Sequence, residues 1–330
     1  MIDSGNDYQK PLFASDMEET EMTGISRRAA SKFVFPNEAP QVVSEDGRAK
    51  TWIVRGGNFA ICVSEVEEGA VLSRGDNPEE YMVILPPQSA SITIATDCEA
   101  IDAEPDSLTI VPPGSSRITA RSPGKIVRIF SKAATDIIAL AANADVYADG
   151  APELAPVDLW PEPNDGYRLR HYPLAQHLNP NGDRIQPRCF RSTNMMVNLF
   201  GSFFTRRETN SLSPHWHDDF EQASLCFDGR WVHHIRYNWG ADLKDWIPDD
   251  HSEIETPSII IIPAWAIHTS RDIGEDGPES SLYDIFCPPR MDFASKPGFV
   301  LNEVDYPLPV IDSEQRTKTG GTLLSWQKAN

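Results

Sequence analysis

The sequence predicts an all-β dominated protein: two similar barrels of short strands, with few short helices. Three observations carry that reading. Proline (27) outnumbers glycine (20), and the two together keep cutting apolar runs to strand length. Strand-like runs recur at short, even spacing, as in a sandwich or barrel. One set of punctuation appears twice, once in each half of the chain, which is the signature of an internal repeat.

Taken in order, residues 1–48 are polar and acidic and read as an N-terminal arm, with Leu12, Phe13, Phe33, Val34 and Phe35 as its docking points. Residues 49–145 form the first barrel. Trp52–Arg55 and Phe59–Val66 are joined through Gly56, Gly57 and Asn58, and Tyr81–Leu85, Ala90–Thr96, Leu108–Val111 and Lys125–Phe130 follow as strands. Ser131–Ala144, rich in alanine with Ile137, Ile138 and Leu140, is the best helix candidate. Residues 146–166 form a proline-rich linker.

The second barrel spans 167–290, with strands expected at Arg168–Tyr172, Met195–Phe200, Ser202–Thr205, Glu221–Phe227, Arg230–Tyr237, Ser258–Ile262 and Ser281–Phe286. Asp228-Gly229 is a two-residue hairpin signal. The polar stretch Asn238–Pro257 reads as a loop placed to serve as a lid. Residues 291–330 read as an extended wrap over the barrel.

Composition narrows the function classes. The formal net charge is −20, which repels phosphate backbones and anionic membranes and argues against both as partners. No apolar run approaches the roughly 20 residues of a membrane-spanning helix. The five cysteines are scattered and odd in number, with no CxxC pair, which suits a reducing compartment rather than a disulfide framework. The first residues lack the basic start and apolar core of a secretory signal, so a cytoplasmic location is expected.

The chemistry concentrates in two stretches. His215, His217 and Glu221 lie in Pro214–Glu221, and His268 closes the hexapeptide that begins at Pro263. Residues two apart on a strand share a face, so His215 and His217 aim into one interior, and Glu221 lies an even interval further on. Three imidazoles and a carboxylate form a borderline donor set for one divalent transition metal: Fe(II), Mn(II), Ni(II), Co(II) or Zn(II) rather than Ca(II) or Mg(II). Four protein ligands leave open positions, as a catalytic site requires. In the first half, Ser73, Gly75 and Arg117 stand at the three histidine positions, and of the four donors only Glu79 remains. That half is expected to be metal-free.

This arrangement resembles the cupin superfamily, specifically the bicupins, whose motifs have the forms G-x5-H-x-H-x3,4-E-x6-G and P-x-G-x2-H-x3-N. His215, His217 and Glu221 match the core of the first, and Pro263 to His268 keeps the proline–histidine interval of the second. Trp265 stands at a motif glycine, and Thr209 at the leading one. The resemblance implies two double-stranded β-helix (jelly-roll) barrels, a degenerate N-terminal cupin and a metal-binding C-terminal cupin. It also implies barrel-edge pairing into a homodimer.

For activity, the resemblance implies an Fe(II) dioxygenase acting on a small phenolic, diketone or similar oxygenated compound. The alternatives are an oxygen-independent isomerase or lyase of sugar or uronate type, whose second-motif segment Pro263–His268 resembles, and a non-catalytic metal- or ligand-binding cupin. Secondary site candidates are His233 and His234, at most one of which alternation turns inward as an acid or base, and Trp265 and Arg236 as pocket residues.

Overall fold

The computed structural model describes residues 28–177, 188–200 and 203–310. Leu12 and Phe13 of the arm, the start of the predicted strand 202–205 and the last 20 residues of the wrap lie outside the described residues. Strands dominate, with two short α-helices and a few 3-10 turns. They form two jelly rolls, each a large sheet facing a small one.

The large sheet of the first half runs Arg170–Pro173, Ser107–Val111, Tyr81–Leu85, Gly124–Ser131, Phe59–Val66, Ala49–Arg55, Val42–Val43. That of the second half runs Ser31–Val34, Ser258–Ile262, Gln222–Cys226, Leu282–Phe286, Met196–Leu199, Cys189–Arg191. Five consecutive strands correspond one for one, Ser107–Val111 to Ala49–Arg55 in the first sheet and Ser258–Ile262 to Cys189–Arg191 in the second, so the repeat seen in the sequence is a repeat of topology. One edge strand of each sheet is exchanged. Ser31–Val34, which precedes the first barrel in the chain, pairs with Ser258–Ile262 of the second. Arg170–Pro173, beyond the proline-rich segment, pairs with Ser107–Val111 of the first. Each exchange covers a sheet edge that would otherwise offer unpaired backbone groups.

The central strands of both large sheets alternate between two buried faces. One face of each meets the other sheet in a shared core that includes Trp52, Ile61, Met82 and Ile129 from the first half and Phe190, Val197, Ala223, Ile261 and Ile285 from the second. Phe33 and Phe35 of the arm join it. The opposite face of the first sheet closes over its barrel interior with Ile53, Cys62, Tyr81, Val83 and Phe130, and Tyr81 stacks on Phe130. In the second barrel Gln222, Ser224, His233 and Asp284 are buried in the interior beside apolar side chains such as Ile260, Ile262 and Phe286.

Two expectations change. The helix is confined to Thr135–Ala139, because Ser131 still belongs to the strand paired with Phe59. Asn143 then ends the segment by holding both the N–H and the carbonyl of Arg55 with its amide. The loop 238–257 also contains a strand, Asp250–Ile254, paired with Trp231–Arg236, so only its first part is loop.

Candidate metal centre

The backbone brings the histidines together. His215 and His268 exchange both backbone hydrogen bonds as an isolated antiparallel bridge, at 3.1 and 2.8 Å. Residues so opposed project to one face, and their ring centroids are 4.4 Å apart. His217 follows two residues along, and its carbonyl accepts the N–H of Trp265 at 2.5 Å. His215, His217 and His268 each offer a ring nitrogen, all within 4.8 Å of one another. Among the described residues this is the only cluster of three or more such side chains able to hold an ion.

Each ring has one nitrogen bound to an oxygen. His215 Nδ1 faces the Ser213 carbonyl at 2.8 Å, His268 Nδ1 the Ala266 carbonyl at 2.9 Å, and His217 Nε2 the Gln222 Oε1 at 3.0 Å. These acceptors make the bound nitrogens N–H donors and leave the other nitrogen of each ring with its lone pair. His217 Nδ1 and His268 Nε2 are buried with no hydrogen-bond partner. Burial holds all three imidazoles below the usual histidine range, most strongly His217 and His268, and therefore neutral. Neutral, oriented imidazoles with buried free lone pairs fit a divalent transition metal.

Glu221 is not with them. A bend at Asp218-Asp219 separates His217 from the strand Gln222–Cys226 and resets its alternation. Glu221 consequently shares a face with Ala223 and points into the contact between the barrels. There its Oε2 accepts the N–H of Gly57 at 2.7 Å and its Oε1 the Tyr147 hydroxyl at 3.0 Å, with Arg28 at 3.8 Å. The residue that faces the histidines is Gln222. Its signal was in the motif itself: the first motif allows three or four residues before its acidic position, and four lead to Gln222.

The first half repeats this layout without the ligands. Ser73 pairs with Arg117, but both are exposed; the pair that turns inward, as His215 and His268 do, is Arg74 with Ser116, whose Oγ meets the Tyr81 hydroxyl. Strand register also shifts the equivalence by one. Tyr81 opposes Val111 beside Pro112, as Gln222 opposes Ile262 beside Pro263, so the partner of Glu221 is Glu80 rather than Glu79. Glu79 instead receives hydrogen bonds from Ser131 and Asn194.

A cavity opens beside the cluster. Phe200, Phe203, Trp231 and Leu282 form its apolar wall, and His215, His268, Gln222 and Asp284 its polar one. Asp284 is buried, and that burial pushes its carboxyl up to about 7 against the hydrogen bonds from Ser224 and Gln222.

His233 faces inward and is buried. It bonds Ser270 Oγ at 2.8 Å, lies 3.8 Å from Cys226 Sγ, and is held down to about 4 by its burial. His234 faces outward against His251. Trp265 and Arg236 do not border the cavity. Arg236 lies on the outer face of its strand, ion-paired with Asp249 in solvent. Trp265 adopts φ 68°, the left-handed region that explains the glycine usual at this motif position.

No family model matches this sequence, and no curated protein matches it either. Solved structures do. An oxalate decarboxylase variant from Bacillus subtilis is 14% identical over 77% of this chain and 76% of its own, with a TM-score of 0.50. The protein YlbA from E. coli is 10% identical over 80% and 92%, with a TM-score of 0.51. AerE from Microcystis aeruginosa is 10% identical over 76% and 97%, with a TM-score of 0.50. The fold is that of a bicupin. Among the described residues only the C-terminal barrel carries the histidine cluster; the N-terminal barrel interior holds Tyr81 and Phe130 beside Ser116, Arg74 and Arg128. Among the described residues no helix is long and apolar enough to cross a membrane.

Proposed function

We propose that the C-terminal barrel is the site of a metal-dependent enzyme, with His215, His217 and His268 holding one divalent transition metal. The observation that carries this reading is the pair of buried ring nitrogens, His217 Nδ1 and His268 Nε2, that have no partner within a cluster of three mutually close imidazoles. Leaving such groups unpaired costs about 1–3 kcal/mol each, a cost that coordination removes.

The donor set as placed is neutral: three imidazoles and, at the motif's acidic position, an amide. A bound dication keeps its full charge there, so the site favours a small anionic oxygen donor such as a phenolate, enolate or carboxylate. The preferred reaction is oxidative cleavage by Fe(II) and O₂ of a phenolic or diketone-like compound. When bound, the metal supplies Lewis acidity and, as iron, redox chemistry. The chain supplies the rest. Phe200, Phe203 and Trp231 exclude water and accept an apolar substrate body. The Ser213 and Ala266 carbonyls and Gln222 hold the rings in one tautomer.

A second reading, an oxygen-independent isomerase or lyase, is favoured by Asp284. A carboxyl held near neutrality on the cavity wall suits proton transfer to or from a bound substrate.

The test is to purify the protein without a metal-affinity tag, identify the bound metal and measure O₂ uptake with phenolic and diketone substrates. Iron with substrate-dependent O₂ consumption is expected. Zinc or manganese with anaerobic turnover selects the second reading. No metal in the native protein, and none taken up, refutes both.

A further inference from the structure

The C-terminal barrel contains a buried polar ladder that no motif announces. Ser224 and Asp284 are register partners on adjacent strands, as are Gln222 and Phe286. Gln222 Nε2 donates to Ser224 Oγ and to Asp284 Oδ1, both at 3.0 Å, and Ser224 Oγ donates to the same Oδ1 at 2.7 Å. All three side chains are buried. At the equivalent positions the N-terminal barrel has Tyr81, Val83 and Arg128, so the ladder is not a requirement of the fold.

An amide placed beside a histidine has two faces. Its oxygen accepts from a ring N–H, and its NH₂ donates to a ring lone pair; the two orientations select opposite tautomers of the imidazole. Here the orientation is set from behind. As a carboxylate Asp284 can only accept, so the Gln222 end that meets its Oδ1 is the NH₂. The oxygen is then turned to His217.

We infer that Asp284 is a positioning residue for the metal centre: through Gln222 it fixes His217 as the Nε2–H tautomer and keeps Nδ1 as the nitrogen with a free lone pair. The inference rests on the metal-site reading for its consequence. The tautomer itself is a property of the metal-free protein. Outer partners of ligating histidines typically change metal affinity by about 10–100-fold when removed.

The experiment has two readouts. Long-range ¹H–¹⁵N correlation spectra of the metal-free protein, with His217 assigned by comparison with His217→Gln, report its tautomer. Co(II) titration against a competing chelator, followed by the visible absorption bands, reports affinity and ligand geometry. In the unsubstituted protein His217 is expected as Nε2–H. Asp284→Leu should give a mixed His217 signal, weaken Co(II) binding by about tenfold and shift its bands, whereas Asp284→Asn, which retains an acceptor oxygen, should stay within about threefold.

Asp284→Leu with an unchanged tautomer and unchanged affinity overturns the inference. So does an Nδ1–H His217 in the unsubstituted protein, a result that holds even if Asp284→Leu does not fold. Failure of the unsubstituted protein to bind Co(II) would instead strike the metal-site reading, and the tautomer measurement would still decide the role of Asp284.

Discussion

Replacing Glu221 should cost stability and leave metal binding intact. Its carboxylate is 2% exposed and accepts two hydrogen bonds that originate in the other half of the chain, from Gly57 N–H and Tyr147 O–H. Glu221→Ala strands both donors in a closed space. Leu154 and Ala151 pack against Gly57 so closely that a Cβ there would lie 2.5 and 2.8 Å from them, which leaves little room for that strand turn to shift. An unpaired buried donor costs about 1–3 kcal/mol. Two of them total about 2–6 kcal/mol, and release from the desolvation of the carboxyl offsets part of this. A net loss of about 2–4 kcal/mol is therefore expected. Glu221→Gln keeps one acceptor oxygen and should lose about half as much. Urea denaturation measures the loss, and Co(II) titration of the folded variants measures the site. Stoichiometry should remain one, with affinity within about threefold, since changes below the range found for outer-shell partners indicate no role at the metal. A folded Glu221→Ala protein that no longer holds metal would refute this assignment and restore Glu221 as a ligand.

His268→Ala should remove a ligand outright and weaken Co(II) binding by more than the roughly 100-fold upper range of outer-shell losses, checked by the same competition titration. His233 is depressed to about 4 from 6.5 by burial, so its contribution to stability is complete above pH 6.5 and is lost as pH falls toward about 4. The span corresponds to about 3 kcal/mol. Denaturation of His233→Gln across that window should show a shallower acid loss than the unsubstituted protein, and an equal slope would refute the assignment. Gly229→Ala should destabilise by at least about 2 kcal/mol, because φ is 92° and the new Cβ would meet Ser280 Cβ at 2.3 Å; urea denaturation measures it. Arg236→Ala removes an exposed ion pair with Asp249 and should change stability by less than about 1 kcal/mol and leave Co(II) affinity unchanged.

How far the site was legible depends on which steps are local. His215 and His217 share a face because strand period needs only two residues to act, and the interval from Pro263 to His268 is likewise local. The fourth position is not local. Between His217 and the next strand the chain bends at Asp218-Asp219, and a bend erases the parity that strand alternation carries. Counting residues then cannot choose between Glu221 and Gln222; only the pairing of Gln222 with Ile262 and Phe286 does. The exchanged strands have the same origin. Ser31–Val34 and Arg170–Pro173 read as strand or arm from composition, but which edge each covers is decided by partners 60 or more residues away. Asp284 has no signal in the sequence because an aspartate in an apolar run belongs to no motif, and its meaning comes from Gln222 across the sheet.

The duplication explains why the acidic residue beside the histidines is not one of their company. Glu80 and Glu221 occupy equivalent places, each one residue before the strand that opposes a proline-flanked partner. Glu80 accepts the N–H of Thr193 at 2.9 Å and the hydroxyl of Tyr306 at 2.8 Å. Glu221 accepts the N–H of Gly57 at 2.7 Å and the hydroxyl of Tyr147 at 3.0 Å. Thr193 and Gly57 are themselves equivalent, each two residues past the end of a matching strand, Cys189–Arg191 or Ala49–Arg55. The two glutamates thus form reciprocal clamps between the barrels, each carboxyl accepting from one backbone donor and one tyrosine, with the Thr193 hydroxyl added at Glu80. A clamp of this kind is needed in both copies, whereas a metal is expected in one, and that is why the glutamate persists in the half that has lost every histidine.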